Sequence, residues 1–115
     1  MRALRAEQFG AERKRLQELL EAYTGRETKR FLSLDRQVYR DGALPARTKE
    51  LLGLVASLVL RCDDCIAYHV VRCREEGVTD EQFYDACSVG LVVGGSIVIP
   101  HLRRAVARLQ ELPPP

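Results

Sequence analysis

Cys62, Cys65 and His69 stand in the stretch LRCDDCIAYHV, and Glu50 lies twelve residues before the first of them. These residue types move electrons and protons. A thiolate attacks or ligates, a second thiol closes a disulfide, an imidazole takes a proton, and a carboxylate orients the imidazole. On a regular helix beginning near Cys62, the residues Cys65, His69 and Cys73 follow at offsets of three, seven and eleven and share one face. One zinc ion cannot gather them there: Cys62 and His69 are separated by about 10 Å of helical rise, while zinc donors sit only about 2.0–2.3 Å from the metal. A metal site would need an unwound segment or ligands from elsewhere. Side chains three apart have β-carbons about 5–6 Å from one another, so a small adjustment of the first turn brings two thiols to disulfide distance. Reversible oxidation is the easier geometry.

Thiol chemistry also requires a thiolate, and a free cysteine of pKa about 8.5 is mostly protonated at neutral pH. A helix N-terminus and Arg61 favour negative sulfur, whereas Asp63 and Asp64 oppose it. His69, one turn after Cys65, can take that thiol's proton directly or through a water. Glu50 is the partner that would orient or charge His69, provided that the chain folds back. An antiparallel hairpin turning near Arg61 returns Glu50 to the level of residue 72, within about a turn of His69. Proximity to His69 makes Cys65 the nucleophile and Cys62 the resolving thiol, while the helix N-terminus favours the reverse order. Plainer readings stand beside these: Glu50 as an exposed carboxylate at a helix start, Cys73 and Cys87 as packed thiols, Lys49 as a solvated charge, and His101 as a surface or interface residue.

The elements that must hold these groups are helical throughout. Leu16, Leu19, Leu20 and Tyr23 recur at helical spacing, as do Phe31, Leu34 and Val38, which suggests two amphipathic helices divided at Gly25. Asp41-Gly42 and Pro45 precede a third, about Ala46 to Leu60, apolar on nearly every side after Glu50 and therefore expected to be buried, either centrally or in an oligomer interface. A fourth carries the cysteine motif and stops at Gly77. Thr79-Asp-Glu-Gln82 is a capping box that opens a fifth. Gly90 and Gly94 offer a smooth strip for close packing, Gly94-Gly95-Ser96 can break that helix, and Pro100 either starts or kinks the last one. The terminal Pro113-Pro114-Pro115 cannot extend it. The expectation is an all-α single domain over 1–115, with N-terminal helices in 1–44, a motif-bearing core in 45–100, and a C-terminal helix and tail in 101–115.

Composition excludes more than it assigns. A chain of 115 residues with a formal charge of +2 fits one core and presents no strong field for nucleic acid or an anionic membrane. The start MRALRAEQFGAERKRL carries charges where a signal peptide needs an apolar run, and LLGLVASLVL falls short of the roughly 20 residues that span a bilayer. The reading is therefore cytoplasmic, with neither nucleic acid nor membrane as partner. Two long apolar segments, Leu51 to Leu60 and Leu91 to Ile99, exceed what one small core covers and suggest a homo-oligomer.

The segment TKELLGLVASLVLRCDDCIAYHVVRCREEGVTDEQFYDA resembles the AhpD-like alkylhydroperoxidase branch of the carboxymuconolactone decarboxylase family. The resemblance rests on Glu50, eleven intervening residues, Cys62-x-x-Cys65-x-x-x-His69, then Gly-Val-Thr-Asp-Glu and a glycine-rich helix end, and it covers residues 45 to 100. It implies an all-helical bundle of about six helices assembling as a homo-trimer or homo-hexamer. It also implies a peroxidase whose substrate is a hydroperoxide or disulfide and whose electrons come from a thiol or lipoyl-type donor. By position, Cys65 would become a sulfenic acid, Cys62 would supply a proton and close the disulfide, and Glu50 and His69 would relay protons, with no cofactor and no metal. The well-characterised peroxidases carry a histidine directly before the second cysteine where this chain has Asp64, which leaves a general disulfide-reductase role open. A decarboxylase on the same fold and a non-enzymatic interaction or metal-sensing protein are the alternatives.

Overall fold

The computed structural model describes residues 2–115, with the side chains of residues 2–4 and 6 outside the description. Six α-helices and no strand run through the described residues: α1 Arg2–Tyr23, α2 Arg26–Val38, α3 Ala46–Leu60, α4 Asp63–Glu75, α5 Asp80–Gly94 and α6 Ile99–Gln110. A short 3₁₀ turn, Ser96–Val98, precedes α6. The all-α expectation holds.

The α3–α4 hairpin sets the site. At the end of α3 the Arg61 N–H donates to the Leu58 carbonyl and the Cys62 N–H to the Ser57 carbonyl, both at 3.1 Å. That is the pairing of a Schellman turn, which needs a left-handed residue. Arg61 supplies it at φ 60°, a conformation that costs an L-residue about 1 kcal/mol or more. Cys62 returns to extended backbone and caps α4, so two residues reverse the chain. The next reversal repeats the pairing, with Val78 N–H to Cys73 carbonyl at 3.0 Å, Gly77 N–H to Arg74 carbonyl at 3.1 Å, and Gly77 at φ 80°. Thr79 and Gln82 then close the expected capping box, each accepting the other's backbone N–H.

Leu54 and Leu58 of α3, Ile66, Val70 and Cys73 of α4, Phe83 and Cys87 of α5, and Val98, Ala105 and Leu109 form one core. At Gly90 a Cβ would stand 3.6 Å from the side chains of Leu58 and Val55, an ordinary packing distance that leaves α5 close against α3. Pro100 lies in the first turn of α6, where its missing N–H is no loss. It is a start, and the last helix begins two residues earlier than the 101–115 boundary.

Burial within the single chain is uneven. Leu16, Leu19, Leu20, Tyr23, Phe31, Leu34 and Val38 are all exposed; the stripe that the first four form on α1 is not covered by the core. The core holds no residue of these two helices, and α1 leans on it through charged and aromatic groups. Arg5 pairs with Glu111 at 3.4 Å, the Arg13 guanidinium lies 4.0 Å above the Tyr68 ring, and that of Arg108 lies 4.8 Å above Phe9. Within the single chain α3 sinks Glu50, Leu54, Ser57 and Leu58 and leaves Leu52 and Leu60 outside.

Candidate redox site

Cys62 and Cys65 are joined in a disulfide with Cα atoms 5.3 Å apart. Cys62 is the N-cap of α4, and its sulfur accepts the Cys65 N–H at 3.3 Å, which favours negative charge on that sulfur. Cys62 is half-buried and Cys65 exposed. Cys73 and Cys87 are free and buried. Burial pushes both thiols up to about 12, with smaller contributions at Cys73 from Glu50 and Cys87. Packing is their role.

One turn further along α4 lies a second cluster. Glu50, 1 % exposed, accepts from His69 Nδ1 at 2.9 Å on one oxygen and from Arg72 Nε at 3.3 Å on the other. The reading of Glu50 as an exposed carboxylate is thereby excluded, because the tight turn at Arg61 folds it back onto α4. Arg72 also donates to Glu75 at 3.1 Å and Glu76 at 2.9 Å. Burial works against its charge most strongly, yet the three carboxylates raise its pKa overall. With the Nδ1 proton given to Glu50, a neutral His69 presents a bare Nε2, and the Tyr39 hydroxyl lies 3.5 Å from it. Burial, followed by the charges of Asp35 and Glu50, raises the Tyr39 pKa, so the phenol stays a donor. The partners of His69 are Glu50 and Tyr39 rather than the sulfurs. A cleft of about 450 Å³, lined by Arg36, Tyr39, Arg40, Tyr68, Arg72 and Glu50, opens beside this cluster.

Residues 27–108 match the model of the carboxymuconolactone decarboxylase family. The chain belongs to this family. Uncharacterized protein 4 in the cox locus of Paracoccus denitrificans is 38% identical over 82 residues, 71% of this chain and 74% of that protein. Two crystal structures of one Thermotoga maritima protein superpose with TM-scores of 0.90 and 0.87 at 57% and 58% identity. They cover 91% and 90% of this chain and 92% and 88% of theirs. That protein is a carboxymuconolactone decarboxylase family member with a suggested involvement in antioxidative response. A Legionella pneumophila member of the family superposes at TM-score 0.68 with 25% identity, over 91% of this chain and 87% of its own.

The carboxymuconolactone decarboxylase family match begins in α2, so Tyr39, Glu50, both motif cysteines, His69 and Arg72 lie within it and α1 does not. Sequence reasoning missed three of the residues that build the site. A Cβ on Gly53 would stand 2.5 Å from His69 Cε1, 2.8 Å from Nε2 and 2.9 Å from Nδ1; glycine leaves the space that the imidazole fills. Its signal was visible as a glycine interrupting an apolar helix one turn after Glu50. Arg72 follows His69 by three residues on the same face, also a visible signal. Tyr39, 30 residues from His69, had none.

Lys49 corrects its reading as a solvated charge: it is half-buried and donates to the carbonyls of Val38 at 2.8 Å and Arg40 at 2.7 Å. It caps the end of α2 and fixes the turn that carries Tyr39. His101 is half-buried and meets Asp63 at 2.8 Å. No helix of the described residues is long and apolar enough to cross a membrane. Among those residues no three His, Cys, Asp or Glu side chains lie close enough to share a metal ion.

Proposed function

We propose that this chain is a thiol-dependent oxidoreductase that reduces a hydroperoxide or a disulfide through Cys62 and Cys65, acting as a homo-trimer or homo-hexamer in the cytoplasm. The observation that carries the reading is the Cys62–Cys65 disulfide at the N-terminal turn of α4, with a buried, hydrogen-bonded Glu50–His69 pair one turn behind it. The antioxidative role suggested for the Thermotoga maritima relative supports it.

In the proposed cycle the exposed Cys65 thiolate attacks a peroxide oxygen and the O–O bond breaks. The sulfur becomes a sulfenic acid, and the departing alkoxide takes a proton and leaves as an alcohol. His69, holding its Nδ1 proton against Glu50, takes a thiol proton at Nε2 through a water and returns one, once the Tyr39 hydroxyl 3.5 Å from Nε2 gives way. Cys62 then attacks the sulfenic sulfur, releasing water and closing the disulfide. A thiol or lipoyl-type dithiol reduces it by exchange through a mixed disulfide and is itself oxidised.

Peptide mass spectrometry of the reduced protein after brief exposure to one equivalent of an organic hydroperoxide tests this. A rapid Cys62–Cys65 disulfide that a dithiol reverses, with Cys73 and Cys87 untouched, is the expected result; slow or indiscriminate oxidation would sink the proposal. Sulfenic acid trapped in Cys62→Ser but not in Cys65→Ser fixes Cys65 as the nucleophile, and the opposite pattern reverses the two roles. The cleft beside Glu50, which no cysteine lines, favours a decarboxylase as the second reading, and that activity would survive loss of both motif cysteines.

A further inference from the structure

Asp63 is the first residue of α4 and follows Cys62 directly. A carboxylate there steadies the helix start but opposes a thiolate on the neighbouring sulfur. Two side chains from α6 meet it. His101 Nδ1 donates to Asp63 Oδ1 at 2.8 Å, and an Arg104 guanidinium nitrogen forms an ion pair with Asp63 Oδ2 at 3.1 Å. Each carboxylate oxygen thus has its own partner. The Arg104 nitrogen is also 3.3 Å from His101 Nδ1, but an Nδ1 that gives its proton to Asp63 cannot accept another. The shared carboxylate, rather than a bond between them, brings these two donors together.

The position of His101 adds to the effect. It lies in the first turn of α6, directly after Pro100, where the free amide end of the helix favours a nearby anion. Burial acts most strongly on Asp63 and raises its pKa, yet the bonds from His101 and Arg104 together lower it. Asp63 and Asp64 are both exposed and screened by solvent, but Asp63 has the two partners from α6. An aspartate serving only the helix start would need no partners from 38 residues away.

We infer that Asp63, His101 and Arg104 form a charge-balancing clamp that fastens the first turn of α4 to α6 and keeps the Cys62 and Cys65 thiols acidic enough to react. The inference rests on the redox reading of the same cysteines. The three are positioning residues: they act through the potential at the turn, together with Arg61 and Asp64.

The test is the pH profile of iodoacetamide alkylation at Cys62 and Cys65 in the reduced full chain, resolved by peptide mass spectrometry. It compares the wild type, His101→Ala, Asp63→Asn and the double variant. Leaving the Asp63 charge unbalanced should raise the pKa of the more reactive thiol by about half a unit, or roughly threefold slower alkylation below that pKa. In the Asp63→Asn background the same His101→Ala change should leave the profile where it is. An unchanged profile in His101→Ala alone, or an equal shift with and without Asp63, would overturn the clamp. Should His101→Ala fail to fold, Arg104→Ala in both backgrounds decides the question by the same criterion. Because no hydroperoxide is used, a shift with no peroxide-driven disulfide would fell the functional reading alone, and rapid oxidation without a shift would fell the clamp alone.

Discussion

Glu50 in α3 and Glu21 in α1 each meet an arginine, Arg72 at 3.3 Å and Arg36 at 3.1 Å, in very different surroundings. The Glu50 side chain is 1% exposed and has a donor on each oxygen, whereas those of Glu21 and Arg36 are 42% and 60% exposed. The α3–α4 hairpin therefore keeps charges inside and must satisfy them. The α1–α2 pair keeps charges in water and leaves Leu16, Leu19, Leu20, Leu34, Phe31 and Tyr23 outside as well. A similar contact distance carries different energies in the two regions, because burial decides what is lost when a partner is removed.

Removing the carboxylates makes the contrast measurable. Glu50→Ala strands the His69 and Arg72 donors, and we expect a loss of about 3 kcal/mol in urea unfolding. Glu21→Ala should cost less than about 0.5 kcal/mol. Equal losses would mean that the buried pair is held no more firmly than the exposed one, and the comparison would collapse.

A smaller but sharper contrast lies in two helical glycines. A Cβ at Gly53 collides with three atoms of the His69 ring, while at Gly10 of α1 it meets nothing within 4 Å. Gly53→Ala should lose about 1–2 kcal/mol, overpacking outweighing the gain in helix propensity. Gly10→Ala should gain up to about 1 kcal/mol. The same substitution thus changes sign between the two regions, and thermal unfolding of the two variants reads it directly. A gain at Gly53 would show that His69 has room to move.

The same division marks what the sequence made legible. The hairpin was readable because its parts are local: Cys62 caps the helix in which Cys65 and His69 follow, and two residues of turn set the register that delivers Glu50. Thr79 and Gln82 were readable for the same reason. Tyr39 and the clamp on Asp63 depend on contacts across 30 and 38 residues, which no spacing rule encodes. Lys49 was misjudged because its partners are backbone carbonyls, which leave no trace in residue identities. The helical spacing of Leu16 to Tyr23 correctly gave a helix but not its burial, since periodicity shows that a stripe exists and not what covers it.

What covers the stripe on α2 is the last point at which the two regions can be set against each other. Phe31, Leu34 and Val38 are exposed there, as are Leu52 and Leu60 of α3 and Val89, Val92 and Val93 of α5. A single soluble chain rarely leaves so many large apolar side chains in water, and the proposed homo-oligomer gives them a partner. Phe31→Ser with Leu34→Ser should change the stability of the dilute, dissociated chain by no more than about 0.5 kcal/mol, the smallest effect of the series, because neither side chain is packed within its own chain. The mass seen by light scattering should nevertheless fall. A wild-type monomer at working concentration would break this account. A large loss of stability in the dissociated variant would instead place the stripe against its own core, and the distinction between a hairpin that packs within the chain and an arm that packs between chains would go with it.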